Sequence, residues 1–172
     1  MEDTRNVIDK YKGMPHEAIV ADLDANGSSL EIAIDNVERD FNMGTIVRSA
    51  NAFGVRHIHI VGRKQWNKRG AMMTDTYLHV HYYAETDAFM AAISGKVLIA
   101  VDNVPGAQAL DAVDMPQNAV LLFGAEGPGI REELLYKATG IVKIEQFGST
   151  RSLNVGVAAG IAMYEWTRRN RT

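Results

Sequence analysis

Ala119-Val-Leu-Leu-Phe-Gly-Ala-Glu-Gly-Pro-Gly129 is the stretch on which the fold turns. Its first five residues are apolar without alternation, so a strand here has both faces covered, as in a parallel sheet between helix layers. Three glycines and a proline then interrupt it, and residues 131–138 carry a helical pattern. A second uninterrupted run, Val97-Leu-Ile-Ala-Val101, repeats the arrangement upstream. Further strands are expected at residues 30–34, 55–61, 77–83 and 141–144, and helices at 43–53, 87–93 and 153–169. Strand and helix alternate throughout, which predicts an α/β unit around a mostly parallel, Rossmann-like sheet.

The chain has 172 residues, enough for one domain with a real core. Residues 1–29 are expected to form an N-terminal extension, weakly helical over 5–12 and closed by Gly13 and Pro15, with residues 30–172 as the main domain. No cysteine is present, which excludes a disulfide frame, a thiolate nucleophile and cysteine zinc ligation. The first twelve residues have no apolar run, so neither a secretory signal nor a membrane span is expected and a cytoplasmic location follows by default. A formal net charge of -3 supplies no global attraction for a polyanion. Nucleic acid would have to be held by a local patch.

In α/β sheets, ligands lie beyond the carboxyl ends of the strands, so the loops there are the candidates for chemistry. Residues 35–48 hold Asn36, Glu38, Arg39, Asp40 and Asn42 ahead of a helix carrying Arg48. Polar residues at such a junction commonly cap the helix. Arg48 differs, because Ile46, Val47 and Ala50 around it look core-facing, and a guanidinium among them needs a partner such as phosphate or carboxylate. Residues 123–130 read either as a plain turn or as a loop whose bare backbone can approach a nucleoside-like ligand. They match neither a Walker loop nor the dinucleotide fingerprint. Residues 147–154 are rich in hydroxyls and lead into a small-residue helix that they could simply cap.

Taken together, these three loops resemble the sequence motifs of the SpoU (TrmH-like) family of RNA 2′-O-ribose methyltransferases, of the SPOUT class. Asn42-Met-Gly-Thr-Ile-Val-Arg48 with Ala50, Phe53 and Gly54 is similar to the first motif, Leu122-Phe-Gly-Ala-Glu-Gly-Pro-Gly129 to the second, and Ser152-Leu-Asn-Val-Gly-Val-Ala-Ala159 to the third. The resemblance covers residues 30–169. It implies a sheet whose C-terminal part is threaded into a deep trefoil knot, a path otherwise rare enough to reject. It further implies S-adenosyl-L-methionine as cofactor, RNA (tRNA or rRNA) as substrate, and a homodimer packed through the knotted regions. Carried over by position, the catalytic set is Arg48, Asn42, Glu126, Ser152 and Asn154. The cofactor-binding set is Val101, Gly124, Ile144, Ser152 and Leu153. The chain departs from the family pattern at Glu145-Gln146, where Pro-Met is common, and at Gly156, where Ser is common.

Methyl transfer from a sulfonium requires no metal; it requires a positioned hydroxyl and help with its proton. A guanidinium is a poor base, so Arg48 is expected to bind the neighbouring phosphate and stabilise the developing alkoxide. Arg56, Arg63, Lys64, Trp66, Lys68 and Arg69 form the densest basic, aromatic-interleaved stretch, and Arg168, Arg169 and Arg171 a basic tail. His57, His59, His79 and His81 fall as two strand-spaced pairs without a carboxylate or cysteine at ligand spacing, so strand surface is the expected reading rather than a metal site. The competing function is a catalytically inactive RNA-binding or assembly protein on the same fold, with Glu145 and Gln146 as its support.

Overall fold

A computed structural model describes residues 4–36, 42–125 and 127–170. Seven strands form one sheet: β1 (Glu31–Asn36), β2 (His57–Gly62), β3 (His79–Tyr83), β4 (Val97–Val101), β5 (Gln108–Ala109), β6 (Ala119–Phe123) and β7 (Gly140–Lys143). Their order is β3-β2-β1-β6-β4-β7-β5, and every pairing is parallel. The helices are α1 (His16–Asn26), α2 (Asn42–Ala52), α3 (Thr86–Ala92), α4 (Glu132–Lys137) and α5 (Val155–Asn170).

The unbroken apolar strands follow from this layering. Successive residues of a strand face opposite sides. Leu121 and Phe123 enter the core cluster that contains Ile46 and Val47 of α2 and Ala159 and Met163 of α5. Val120 and Leu122 enter the other, with Phe89 of α3 and Leu134 of α4. A polar residue at either parity would lie in one of the two cores.

Several sequence expectations shift. Helix does not extend over residues 5–12; only a short 3-10 turn, Asp9–Tyr11, forms there, and the real N-terminal helix is α1. Pro15 does not close a helix: its fixed φ suits the entry to one, and α1 starts directly after it. Ile19 of α1 is buried against the body. The third strand starts at His79, because Thr74–Tyr77 is a 3-10 turn. β5 was not foreseen.

β4 and β5 follow each other in sequence yet flank β7, which arrives later. Val142 pairs with Val101 on one side and with Gln108 on the other. The amide of Asp102 donates to the carbonyl of Val142, and that of Leu110 to Lys143. Residues 102–107 therefore cross from one side of β7 to the other. α5 then closes against residues 110–116: Arg169 donates to the carbonyls of Asp111 and Val113, Trp166 Nε1 to Pro116, and Asn170 to Met115.

Candidate cofactor cleft and active site

A cleft opens at the carboxyl ends of β4, β6 and β7. Val101 and Asp102 line it from β4, Gly124 and Gly129 from the loop after β6, and Ile144, Gln146, Ser152 and Leu153 from the segment after β7. Val155 and Ala158 of α5 complete it. All five residues assigned to cofactor binding by motif position thus border one space.

The loop after β6 is shaped by its glycines. A Cβ on Gly124 would overlap the carbonyl carbon of Gly129, because the loop doubles back and the Gly129 amide donates to the carbonyl of Ala125 at 3.1 Å. Gly127 and Gly129 take φ of 96° and 71°, the left-handed region that side chains disfavour. Asp102 holds the loop's exit, accepting from the Ile130 amide at 3.1 Å. Arg131 next anchors it to β1: its amide and Nε both donate to the buried Asp35 carboxylate at 2.8 Å. Asp35 and Asn36 therefore finish β1 instead of capping α2, as the polar cluster had suggested. Glu38, Arg39, Asp40 and Glu126 lie outside the described residues.

Asn154 sits at the start of α5. Its Oδ1 accepts from the amides of Gly156 and Val157 at 3.0 and 3.2 Å, a helix cap. Its Nδ2 donates to Asn42 Oδ1 at 2.8 Å, which brings the first residue of α2 to the same point. Gly156 packs against the side chain of Thr45, so the two helix starts meet closely. Arg48 follows Thr45 by three residues, hence about one turn along the same side of α2. It is exposed, whereas Met43, Ile46, Val47 and Ala50 are buried. Solvent access, and not a buried partner, accommodates the guanidinium, which corrects the core-facing expectation. Ser152 is also exposed at the cleft.

The basic stretch sits beside this helix. The Asn36 amide donates to the carbonyls of Arg63 and Gln65 at 2.5 and 3.1 Å, and Gly44 of α2 leaves no room for a Cβ against Gly70 and Ala71. Arg63, Lys64, Lys68 and Arg69 are exposed. Lys64 Nζ lies 5.3 Å from the centre of the Tyr82 ring and Lys68 Nζ 5.5 Å from that of Trp66. Arg56 is not part of the patch: it is buried, donating to Asp24 and to the Tyr77 carbonyl. Arg168 and Arg169 are both bonded to Glu165, so they are not a free basic tail; Arg171 lies outside the described residues.

The histidines form a ladder, because the parallel register sets His57 beside His79 and His59 beside His81. His57 Nδ1 and His81 Nε2 are 3.0 Å apart, and the rings stack with centroids 5.2 to 5.3 Å apart. Glu31 ends the ladder, 2.8 Å from His59 Nε2 and 2.6 Å from Lys96 Nζ. Burial pushes the Glu31 carboxyl up, but these two partners outweigh it and hold the group at about 2. Among the described residues, no group of three His, Cys, Asp or Glu is placed to hold a metal ion, and no helix is long and apolar enough to cross a membrane.

Residues 29–164 match the model of the SpoU rRNA methylase family. The chain belongs to that family. A SpoU relative from Thermus thermophilus, a tRNA (guanosine(18)-2'-O)-methyltransferase, is 32% identical over 145 residues, spanning 81% of this chain and 75% of the relative. The A. aeolicus TrmH/SpoU tRNA modifying enzyme superposes with a TM-score of 0.77 at 24% identity, over 90% of this chain and 83% of that one. An AdoMet-bound rRNA methyltransferase from Sinorhizobium meliloti superposes with a TM-score of 0.73 at 27% identity, over 83% of this chain and 57% of that one. The fold is the knotted SpoU fold, and the placing of β7 between β4 and β5 is its signature in the sheet.

The resemblance places the stretch after Ala100 at the pocket, and Asp102 and Asn103 of that stretch line the cleft; Lys143, at the end of β7, also lines it and no motif singled it out. Asp102 and Asn103 had one further legible sign: they are the first polar residues after the apolar run that ends at Val101.

Proposed function

We infer that this protein is an S-adenosylmethionine-dependent methyltransferase acting on a ribose 2′-hydroxyl of tRNA or rRNA. One observation carries the reading: in a SpoU chain, Val101, Gly124, Ile144, Ser152 and Leu153, from three loops far apart in sequence, border a single cleft. The residues fit the cofactor. Glycines leave the backbone of the loop after β6 bare, and Val101, Ile144, Leu153, Val155 and Ala158 supply apolar walls for a purine.

The bound cofactor supplies an electrophilic sulfonium methyl. With that donor held in the cleft, the protein's part would be to position the hydroxyl in line with the methyl group and assist loss of its proton. Backbone groups of Gly124, Ile144 and Leu153 would hold the donor, with Ser152 at the border of the same cleft; Glu126 is assigned to the site by motif position alone. Asn42, bonded to Asn154, keeps the start of α2 against the start of α5, whose Val155 and Ala158 line the cleft. Arg48 binds the phosphate next to the target ribose and stabilises negative charge on the reacting oxygen. Arg63, Lys64 and Arg69 extend the RNA contact outward from α2, beside Lys68, which is paired with Asp75 at 2.7 Å.

The working unit is a homodimer. Val157, Ile161 and Tyr164 recur at helical spacing on α5 and are 52%, 39% and 58% exposed, an apolar stripe beside the cleft that a second copy would cover. Residues 1–29 serve as an extension braced on the domain of residues 30–172, and the protein works in the cytoplasm. The test is transfer of labelled methyl groups from S-adenosylmethionine to total RNA, followed by mapping of 2′-O-methyl sites in cells with and without the protein. Absence of transfer to any RNA would refute the reading.

A further inference from the structure

Gln146 lines the cleft, and its Oε1 is a buried acceptor with no donor in reach. Buried polar atoms are nearly always paired, because an unmet acceptor forfeits its hydrogen bond to water without recompense. Apolar side chains of Ile144, Leu153 and Val155 share the cleft with polar Asn103, Lys143 and Ser152, none of which is bonded to this oxygen. An unpaired amide oxygen on a residue of this cleft calls for a ligand that brings it an N–H beside an apolar face. Adenine fits: its faces suit the walls, and its exocyclic amine is the sole donor on a ring that otherwise offers acceptors.

We propose that Gln146 reads the base of the bound cofactor, its side-chain Oε1 accepting a hydrogen bond from the adenine amine. The assignment rests on the cleft being the S-adenosylmethionine site. It gives a role to the position where the chain departs from the Pro-Met of its motif: the polar residue selects the base where an apolar one would only pack against it. Its neighbour Glu145 is exposed and takes no part.

Calorimetric titration of the purified protein tests this without any turnover, using S-adenosylhomocysteine and its analogue with hydrogen in place of the adenine amine. The native protein should prefer the amine-bearing ligand by about tenfold, the value of one net hydrogen bond. Gln146→Met, close in size and free of polar atoms, should bind both ligands alike and unfold at a higher temperature when empty. Gln146→Glu keeps an acceptor and should retain the preference. A Gln146→Met protein that still prefers the amine by tenfold overturns the proposal, as does a native protein that binds both ligands equally. A native protein that binds neither ligand nor S-adenosylmethionine overturns the cofactor reading itself, and this one with it.

Discussion

Asn154 Nδ2 donates to Asn42 Oδ1 across 2.8 Å, joining residues 112 positions apart at the adjoining starts of α2 and α5. The same Asn154 side chain caps α5 through Gly156 and Val157. Asn154→Ala removes both interactions at once. Loss of the cap alone should cost about 1 kcal/mol, seen as a lower Tm. Methyl transfer should fall further than stability, since the first motif loses its register against the third. An unchanged Tm would show that the cap does not hold in solution.

Arg48 is exposed and outside the core, so its removal should leave the fold intact. Arg48→Ala should abolish methyl transfer while Tm and calorimetric affinity for S-adenosylmethionine stay at native values. Residual transfer of labelled methyl at a native rate would remove Arg48 from the mechanism.

Gly124→Ala places a methyl group where the carbonyl carbon of Gly129 lies. The loop must open to accept it, at about 1–3 kcal/mol of stability. Affinity for S-adenosylmethionine should drop at least about tenfold, because the displaced backbone forms one side of the cleft. Equal affinity in native and variant proteins would contradict the assignment of this loop.

The apolar stripe on α5 should be covered by a second copy. Ile161→Glu puts a charge at its centre, and sedimentation should then show a monomer where the native protein gives a dimer. A native protein that sediments as a monomer at micromolar concentration would rule out the dimer.

The imidazole ladder makes stability depend on pH. Burial, opposed by the charge of Glu31, lowers His57; burial and the neighbouring imidazoles lower His81. The groups facing them are His59, His79, Glu31 and Lys96, with Asp24 bonded to His79. Both folded-state values lie below the ordinary 6.5, so the unfolded chain takes up protons first on acidification. Stability is therefore fully present above about pH 6.5 and falls as pH drops through it. Glu31 is also depressed, from 4.5 to about 2, and adds a second loss between those values. Urea midpoints measured from pH 8 to pH 5 should decline on the acid side, less steeply in His81→Gln. A flat profile would count against the ladder.

What could be read in advance depended on whether a feature is encoded by side chains or by backbone. The β4 and β6 runs needed apolar residues at both parities, so Val97-Leu-Ile-Ala-Val101 and Ala119–Phe123 were plain. β5 is two residues, Gln108–Ala109, held by backbone pairing to β7, and no side-chain pattern marks it. Pro15 misled because one fixed φ serves both the end of one segment and the start of a helix. His57 and His79 showed their spacing, but only the parallel register brings them together. In the candidate site, motif position names Gly124, Ser152 and Asn154, of which Gly124 and Ser152 border the cleft; Asp102 itself showed only as a polar residue ending an apolar run, and the orphan oxygen of Gln146 depends on packing that no short pattern states.

The position of β7 governs when the protein becomes competent during synthesis. The ribosome delivers β4, β5 and β6 first, and until β7 emerges β5 has no strand to pair with. Ile144, Gln146, Ser152 and Leu153 emerge only after β7, and they form one side of the cleft. A nascent or prematurely terminated copy thus carries the basic residues from Arg63 to Arg69 while the cleft still lacks one side. Completion of translation is the step that arms the enzyme.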